Sequence, residues 1–536
     1  MAVTAASRWS LASQLLSLCV PLFVSVGVAH AETLYNGIVL PAPWPPQRAS
    51  LPDPLPPPPY LVSPPPVIPI DVGRQLFVDD FLVEQTDMTR TYHRPEYYAG
   101  NPVFSPDKKW EGNWAIPFSH GIWHDPADRL FKMWYAGDLR RKMCYATSGD
   151  GIQWTKPALD VVPGTNVLNE TTRDSCVVWL DHNATDPRRR FKFAAWSEGG
   201  SGRVMTIRTS PDGIHWSEPL ARVGDQLIGD RTTLFYNPFR ARWVWSVRHS
   251  NPARMRKYLE TTDLSTWTSA PTQFVNWIQS DNLDAPDPAI GVPCQLYNLD
   301  CVAYESLIVG LFAIWHGEKK SLNRPKLNSL CVGFTRDGFH WYRPVRTPFI
   351  PYSNQAGAWN FGNVQSVGGC FLVVGDTLRF YVSGRQGGVN VPDGGICRTG
   401  LATMRRDGFA SMDAGSEERT LTTRKVRFGG KYLFVNAAAS TGSVRVEVLD
   451  GNGQVIAPFS KENCDAIRAD KTLAAVSWKG ADDLSAVAGK DVRFRFHLTN
   501  GSLYAFWVSP DKSGASYGYV AAGGPGFTEP RDMPDR

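Results

Sequence analysis

An eleven-residue phrase that recurs along the chain is the feature that most constrains its fold. "TSGDGIQWTKP" begins at residue 147, and "TSPDGIHWSEP" begins at residue 209. A copy at 261 has lost its Gly ("TTDLSTWTSAP"), and a copy near 405 has lost its Trp ("RRDGFASMD"). The Asp of the phrase stands at five positions, roughly 50 to 75 residues apart: Asp150, Asp212, Asp263, Asp337 and Asp407. A marker with this period indicates one supersecondary unit per copy.

Two apolar strands precede each marker, and a third strand leads into it. Examples of the first strand are "SCVVWLD" and "TTLFYN", and examples of the second are "FKFAAWSEG" and "VGLFAIWHGE". Short strands at this spacing, without amphipathic helical stretches, predict a five-bladed β-propeller over residues 72–412. The early segment "RQLFVDDFLVEQ" is expected to supply a strand that closes the ring, because closure removes exposed strand edges.

The pattern changes on either side of the propeller. Residues 415–526 alternate apolar and polar positions around a "DGNGQ" turn, which predicts a β-sandwich, and the tail 527–536 is expected to be loose. Residues 32–71 are rich in Pro and are expected to form an extended linker outside any core. The predicted fold is therefore all-β, with a five-bladed propeller followed by a C-terminal β-sandwich.

The N-terminal 31 residues are typical of a secretory signal. Arg8 precedes a long apolar stretch, and "AHA" precedes Glu32 as an A-x-A cleavage site. We therefore expect a secreted or periplasmic protein with no stable membrane span after signal cleavage, since no later segment is long and apolar enough to cross a bilayer. A net charge of +5 is mild for this length and argues against a nucleic-acid partner.

Cysteine usage gives no sign of a metal site. Of nine cysteines, Cys19 lies in the signal, and the other eight are scattered without a C-x-x-C pair, so no zinc site is predicted. Export permits disulfides, and Cys294 and Cys301 are the closest pair in sequence. Buried free thiols are the alternative for most of the others. No cofactor is predicted, and a structural divalent cation is left open.

The repeated phrase itself is interpreted as a structural turn. Its Asp caps the turn through the backbone, its Gly permits positive φ, and its Trp packs between sheets. The phrase resembles the Asp box of sialidases and the turn found in five-bladed glycosidase propellers. A motif that recurs once per blade does not mark a single active centre, so the phrase locates the blades.

Candidate catalytic residues come from aligning the five inner strands on the turns that end them. Seven residues before the turn stand Phe118, Asp174, Asp230, Asn298 and Gly362, and five residues before it stand His120, Cys176, Thr232, Asp300 and Val364. Side chains two residues apart on a strand share a face, so Asp174, Asp230 and Asp300 are expected to converge from three neighbouring blades, with His120 beside them. The alternative is a set of capped strand ends or a water-bound ring.

Further candidates stand at the ends of the second strands and in one loop. Glu198 and Glu318 are candidate general acids, with solvated loop glutamates as the alternative. Arg248 and Arg385 are candidates for orienting a carboxylate or hydroxyl group of a substrate. The loop "DNLDAPDPA" adds Asp284 and Asp287 as candidates for binding substrate or a cation, or as ordinary surface residues.

Converging carboxylates are what glycoside hydrolysis needs: one protonated acid and one ionised base or nucleophile. With five blades, a sandwich behind them and an export signal, residues 72 to 525 resemble the secreted glycosidases of families 32, 43 and 68. In those families three acids at inner strand starts act as nucleophile or base, transition-state stabiliser and general acid. The resemblance implies such roles for Asp174, Asp230 and Asp300.

The chain also departs from that resemblance. It lacks the Asn-Asp-Pro-Asn-Gly-type, Arg-Asp-Pro and Glu-Cys motifs of family 32, and Asp230 stands where a general-acid Glu is usual. The leading hypothesis is a secreted glycoside hydrolase that acts on an oligo- or polysaccharide. A non-catalytic carbohydrate-binding or cell-surface propeller is the alternative. A sialidase ranks lower, because it would have six blades, an arginine triad and a Tyr nucleophile.

Overall fold

The computed structural model describes residues 1, 31–139, 141–169, 176–199, 202–224, 229–250, 253–266, 274–319, 324–387 and 395–534. These residues form an all-β protein, as the strand pattern predicts. The short helical segments among them are α1 (Pro59–Val62) and three 3-10 turns, which lie at Lys109–Glu111, Pro187–Arg189 and Leu264–Thr266. None of the helices in these ranges is long and apolar enough to cross a membrane. The predicted signal, residues 1–31, lies almost wholly outside the described residues.

Seven short strands precede the first blade. They are β1 (Glu32–Thr33), β2 (Val39–Leu40), β3 (Ile68–Pro69), β4 (Gln75–Leu76), β5 (Val83–Thr86), β6 (Thr89–Tyr92) and β7 (Glu96–Tyr97). β1 pairs with β2, whereas β3 to β7 pair with strands more than 300 residues away in the chain. This early part of the chain is therefore held by long-range strand pairing.

Five antiparallel sheets follow as blades. The first has β8 (Ile122–Asp125), β9 (Leu130–Gly137), β10 (Lys142–Ser148) and β11 (Val167–Asn169), and the second has β12 (Cys176–Leu180), β13 (Phe191–Gly199), β14 (Gly202–Ser210) and β15 (Ala221–Gly224). The third has β16 (Thr233–Asn237), β17 (Arg242–Ser250), β18 (Arg254–Thr261) and β19 (Val275–Gln279). The fourth has β20 (Gln295–Glu305), β21 (Leu307–Lys319) and β22 (Arg324–Thr335), and the fifth has β23 (Val364–Gln365), β24 (Leu372–Val374), β25 (Thr377–Arg385) and β26 (Cys397–Arg405).

Hydrogen bonds at the inner ends of the blades join neighbouring blades at three points and connect the last blade to the first. The Val178 N–H donates to the His120 carbonyl (2.6 Å) between blades 1 and 2, and the Thr233 hydroxyl donates to the Leu299 carbonyl (2.7 Å) between blades 3 and 4. The Ile122 N–H donates to the Gly368 carbonyl (3.2 Å) and joins blade 5 back to blade 1. The predicted five-bladed propeller is therefore the observed architecture.

The strand that completes the ring differs from the predicted one. β7 pairs with β26 and becomes the outer strand of blade 5. The segment "RQLFVDDFLVEQ", which was expected to close the ring, instead supplies β4 and β5 to the sandwich, so that expectation is wrong. The physical reason is that the apolar residues Phe77 and Phe81 of this segment are buried in the core of the sandwich.

The sandwich consists of two sheets formed by the C-terminal part of the chain and the early strands. The strands of the C-terminal part are β27 (Ala410–Ala414), β28 (Arg419–Thr423), β29 (Val426–Arg427), β30 (Tyr432–Ala438), β31 (Ser443–Leu449), β32 (Asp470–Ala475), β33 (Arg493–Thr499), β34 (Gly501–Ser509) and β35 (Tyr519–Val520). Among them, β29 pairs with β3, outside the two sheets. One sheet has the order β32-β30-β34-β27-β6, and the other has the order β31-β33-β28-β5. β35 leaves the sandwich and pairs with β20 of blade 4.

The Pro-rich segment is packed, which corrects the expectation of a linker outside any core. Leu34, Ile38, Tyr60 and Ile68 are all at least 93% buried. The Tyr35 ring stacks on Phe239 of the propeller at 4.2 Å. The apolar residues between the prolines make this docking favourable, because an extended proline-rich backbone loses little entropy when it is fixed.

The tail also packs, up to the last described residue. The Asp532 carboxylate pairs with Arg406 at 3.0 Å, and the Arg531 guanidinium donates to the Tyr517 carbonyl at 2.7 Å. The expectation of a loose tail is therefore wrong for residues 527–534. The ion pair, the hydrogen bond and an antiparallel backbone β-bridge between Tyr519 and Arg531 hold this segment in place.

The repeated phrase forms a turn that docks on a neighbouring blade. At Asp212, one carboxylate oxygen accepts from the N–H groups of Ile214 (2.8 Å) and His215 (2.9 Å). Gly213 has a φ of +81° and offers its carbonyl to the indole N–H of Trp134 in blade 1 (2.7 Å). The Gly151 carbonyl likewise accepts from the Tyr381 hydroxyl of blade 5 (2.6 Å). The turns therefore join blade to blade, which supports the structural interpretation of the phrase.

A buried ionic cluster joins the propeller to the sandwich. The Arg74 guanidinium contacts Asp407 at 2.9 Å and Glu305 at 3.4 Å, and it donates to the Thr472 carbonyl at 2.7 Å. It also lies over the Trp507 ring at 4.1 Å. The side chains of Arg74, Glu305 and Asp407 are all fully buried. We call these three residues with Arg406 the Arg74 cluster.

Removing the charge of Arg74 should be strongly destabilising. Arg74→Met leaves buried carboxylates without their counter-charge, and the expected loss in the free energy of unfolding is about 3–5 kcal/mol. Arg427→Met is the matched control, because Arg427 is 54% exposed beside Asp491, and its loss should stay within about 1 kcal/mol. Denaturant unfolding of both variants measures the two losses in the free energy of unfolding. Equal losses in the two variants would contradict the proposed importance of the Arg74 cluster.

The ion pairs of Asp125 should make the propeller sensitive to acid. Burial alone would raise the pKa of this carboxyl, but Arg190 and Lys132 lower it from 3.8 to about 2. A lowered pKa stabilises the fold above the ordinary value, and this stabilisation is lost as the pH falls from about 4 toward 2.

Asp125→Asn should therefore reduce the free energy of unfolding by about 2 kcal/mol at pH 7. The difference from the unsubstituted protein should narrow steadily below pH 4. Urea unfolding at a series of pH values measures it. A difference that stays constant down to pH 2 would contradict the assigned ion pairs.

Candidate functional site

Polar side chains from three blades converge on the carboxylate of Asp300. One oxygen of Asp300 accepts from the hydroxyls of Ser119 (3.1 Å, before blade 1) and Ser366 (2.5 Å, blade 5). The same oxygen accepts from the side-chain amide of Asn298 (2.8 Å), two residues earlier on β20. Asp300 is only 4% exposed. Asp300, a candidate from the inner-strand alignment, is therefore held by partners from blades 1, 4 and 5.

Asp230 stands at the start of blade 3 and is more accessible. Its carboxylate pairs with the guanidinium of Arg248 on β17 at 2.5 Å. The two side chains are 34% and 23% exposed. The Arg248 N–H also donates to the Thr232 hydroxyl (3.1 Å), which fixes the strand beside the ion pair. Asp230 is thus a carboxylate that a ligand can reach.

The buried guanidinium of Arg256 lies close enough to both aspartates to feel their charges. Arg256 on β18 lies opposite Arg248 across the strand pair, and its guanidinium donates to the Arg231 carbonyl (2.8 Å) and to the Asn298 side-chain oxygen. Burial, followed by the charge of Arg231, lowers the pKa of Arg256 from 12.5 to about 9, whereas the charges of Asp300 and Asp230 raise it. Both aspartates therefore act on one guanidinium.

We call the polar residues around Asp230 and Asp300 the inner polar cluster. It consists of Ser119, Asp230, Arg231, Arg248, Arg256, Asn298, Asp300 and Ser366. The sequence hypotheses included Asp230, Arg248 and Asp300 but missed Arg231 and Arg256 as site residues. The available signal was the two-residue alternation of β18, which places Arg256 on the same face as the buried Tyr258.

His120 and Arg385 lie next to the cluster. His120 is fully buried, and its carbonyl joins blades 1 and 2. The Arg385 guanidinium, at the end of β25, lies over the rings of Trp114 (5.1 Å) and Phe118 (5.3 Å). Phe118 has a φ of +45°, so the backbone before His120 is in the left-handed region. The structure thus places both residues by the inner ends of the blades.

The other candidates are not brought into the cluster by the described contacts. Asp174 lies outside the described residues. Glu198 lies near the end of β13, and its side chain is likewise not described. Glu318 is exposed near the end of β21. The Asp287 carboxylate caps its own turn by accepting from the N–H groups of Ala289 (2.9 Å) and Ile290 (3.2 Å).

Asp284 has a structural environment, which corrects its assignment to substrate or cation binding. Its carboxylate pairs with Arg343 at 2.5 Å and with Arg346 at 3.3 Å, and it is 4% exposed. Burial alone would raise its pKa, but Arg343 and Arg346 lower it below the ordinary value. The carboxylate is therefore committed to two arginines of the same blade.

The thiols and acidic groups of the described residues show no metal or disulfide site. All eight cysteines in these residues are free and buried, including Cys294 and Cys301. Burial raises the pKa of the Cys294 thiol to about 12. Across the described ranges, no group of three or more His, Cys, Asp or Glu side chains is arranged to hold a metal ion.

Asp284→Ala tests the structural assignment. The change leaves the buried Arg343 without its carboxylate, so the free energy of unfolding should fall by about 3–5 kcal/mol. Asp287→Ala, which removes a capping carboxylate from the same loop, should cost about 1 kcal/mol or less. Chemical denaturation measures both. An Asp284→Ala protein of unchanged stability that has lost ligand binding would contradict the assignment.

Known proteins with a similar fold include carbohydrate-active enzymes. No family model and no curated protein matches the chain. Among solved structures, an N-acetylgalactosamine deacetylase from F. plautii, in complex with blood group B trisaccharide, is 16% identical with a TM-score of 0.39, over 60% of this chain and 96% of that one. A thermostable family-43 glycoside hydrolase is 11% identical with a TM-score of 0.37, over 62% and 96%.

A GH32 β-fructofuranosidase of Bombyx mori is 10% identical with a TM-score of 0.34, over 80% of this chain and 95% of that one. Families 43 and 32, which the sequence resembles, are thus among the structural neighbours. Scores and identities this low support no conclusion about activity. The propeller assignment rests on the strand pairing and ring closure of the chain itself.

Proposed function

We propose that the chain is a glycoside hydrolase and that its substrate binds at the inner polar cluster. The observation that carries the proposal is the pair of aspartates, Asp230 and Asp300, in different surroundings around one buried guanidinium. Glycoside hydrolysis depends on carboxyl groups whose different environments give them different roles. A predicted export signal in the N-terminal 31 residues supports action outside the cytoplasm.

The two aspartates are proposed to have different tasks. Asp230 is partly exposed and lies beside Arg248, so it is the carboxylate that contacts the sugar. Asp300 is buried and receives three hydrogen bonds, so it acts as a positioning residue with a fixed negative charge. Asp174, aligned with Asp230 in the sequence, is the proposed second catalytic carboxylate.

A glycan-binding propeller without catalysis is the second candidate. It is favoured by the number of buried donors in the cluster, since Arg231 and Arg256 serve binding without any role in bond cleavage. The two candidates differ in what Asp230 does. A binder keeps its function when this carboxylate is neutralised, whereas a hydrolase loses turnover.

Asp230→Asn tests the proposed activity. The purified protein is incubated with a panel of arabinan, xylan, fructan, galactan, pectin and alginate, and released reducing sugar is measured. Asp230→Asn should lower kcat by about 10²–10⁴-fold, because general acid–base catalysis contributes that much. The stability should change by about 1 kcal/mol or less, since the Asp230–Arg248 pair is partly exposed.

Asp287→Asn is the matched control, because it makes the same chemical change at a turn outside the cluster. Its turnover should stay within about twofold of the unsubstituted protein. Full activity of Asp230→Asn would show that the assignment of this carboxylate is wrong. Glycan binding without hydrolysis of any panel member would favour the binding propeller.

A further inference from the structure

The inner polar cluster contains more positive than negative side chains. It has three arginines, Arg231, Arg248 and Arg256, and two carboxylates. Asp230 is already paired with Arg248. The hydrogen bonds to Asp300 come from the neutral donors Ser119, Asn298 and Ser366. Among the described residues of the cluster, which do not include Asp174, the positive charges therefore outnumber the negative ones.

The two innermost arginines have no carboxylate in direct contact among the described residues. Arg231 is 1% exposed and Arg256 is fully buried. Within the described part of the chain, the Nε and Nη1 atoms of both guanidinium groups are buried without a hydrogen-bond acceptor. Neither arginine forms an ion pair with a described carboxylate. Two buried like charges side by side are costly unless an anion joins them.

Other arginines of the same chain show how it neutralises a buried guanidinium. Arg74, Arg336 and Arg343 have side chains that are at most 1% exposed. Each contacts a carboxylate: Asp407 at 2.9 Å, Asp79 at 2.9 Å and Asp284 at 2.5 Å, respectively. Arg231 and Arg256 thus differ from these three buried arginines, because no described carboxylate contacts them. They also lie at the proposed substrate site.

Further cations stand around the same end of the ring, held over aromatic rings. The Tyr297 ring lies within 6 Å of Arg231 (5.9 Å) and of two further cations, Arg254 (5.6 Å) and the Lys326 ammonium (5.5 Å). Arg385 lies over Trp114 and Phe118. These contacts position positive charge without neutralising it, since a ring has no net charge.

We propose that the sugar bound at the inner polar cluster carries an anionic group, a carboxylate or a sulfate, held by Arg231 and Arg256. This inference rests on the proposed function only in taking the ligand to be a glycan. Guanidinium groups bind carboxylate and sulfate oxygens through paired, charge-assisted hydrogen bonds. The anion supplies both the missing negative charge and the missing acceptors.

Matched polysaccharides test the proposal. Pectin, alginate and glucuronoxylan are each compared with their carboxyl-reduced forms, and a sulfated galactan is compared with its desulfated form. Binding is measured by affinity electrophoresis and calorimetry at low salt, independently of hydrolysis. At least one acidic polymer should bind roughly tenfold or more tightly than its neutral counterpart, and the preference should weaken with added salt.

The pairs also identify the anion, since a preference confined to the sulfated galactan assigns sulfate and one confined to the other pairs assigns carboxylate. No preference in any of the four pairs overturns the proposal. This result needs no variant, so it does not depend on whether a substituted protein folds. Hydrolysis of a neutral polymer with no charge preference would overturn this inference and leave the proposed function standing. A preference for the acidic polymer without hydrolysis of any polymer would support this inference and contradict the proposed hydrolase function.

Variants then assign the preference to the arginines. Arg231→Gln and Arg256→Gln should each reduce the preference for the acidic polymer by roughly tenfold. Arg231→Lys should have an intermediate effect, because lysine keeps the positive charge but lacks the paired N–H donors of the guanidinium group. Arg188→Gln, at an exposed arginine paired with Asp186, should leave the preference unchanged. Equal preferences in Arg231→Gln, Arg256→Gln and Arg188→Gln would overturn the assignment to these two residues.

Discussion

The full burial of Arg74 is the constraint on which the arrangement of the domains depends. A guanidinium with no access to water has few acceptable positions, and here its partners come from distant parts of the chain. Glu305 ends the inner strand of blade 4, Asp407 follows the last strand of blade 5, and the Thr472 carbonyl belongs to the sandwich. Burial raises the pKa of Glu305, and burial would also raise that of Asp407, but Arg74 and Arg406 hold the pKa of Asp407 below its usual value. One side chain thereby ties the propeller, the sandwich and the early segment together.

This cluster also bears on the opposite end of the ring. β20 carries Glu305 at one end and Asp300 and Asn298 farther up the same strand. Because a strand in a sheet is stiff, fixing Glu305 fixes where Asp300 meets Ser119 and Ser366. The repeated turns act in the same way, since each docks on a neighbouring blade. The geometry of the inner polar cluster is therefore set by contacts that lie outside it.

The sequence predicted which strands exist better than it predicted which strands pair with each other. The period of the Asp phrase predicted five blades, because the blades follow from a local repeat. The inner-strand alignment, which uses the same repeat, made Asp300 a site candidate. The destination of β4, β5 and β6 was missed, because alternation shows that a strand exists but not which edge, hundreds of residues away, it joins. Asp407 looks like the other marker aspartates in the sequence, yet its carboxylate forms an ion pair with Arg74. Arg231, in the turn before β16, and Arg256, on β18, were missed because an arginine normally indicates a solvated position.

The two ends of the ring differ in how they treat buried charge. In the Arg74 cluster, two arginines meet two carboxylates and a third from Asp532, so burial serves the fold. In the inner polar cluster, Arg231 and Arg256 are equally buried, but the nearby carboxylate of Asp300 is occupied by neutral donors. A chain that neutralises its cations so completely at one end has the means to do so at the other. Local inconsistency of this kind concentrates at functional sites, where a ligand completes the interactions that the protein leaves open. We therefore interpret the unpaired charge of Arg231 and Arg256 as the protein's contribution to an interaction that the proposed anionic sugar would complete.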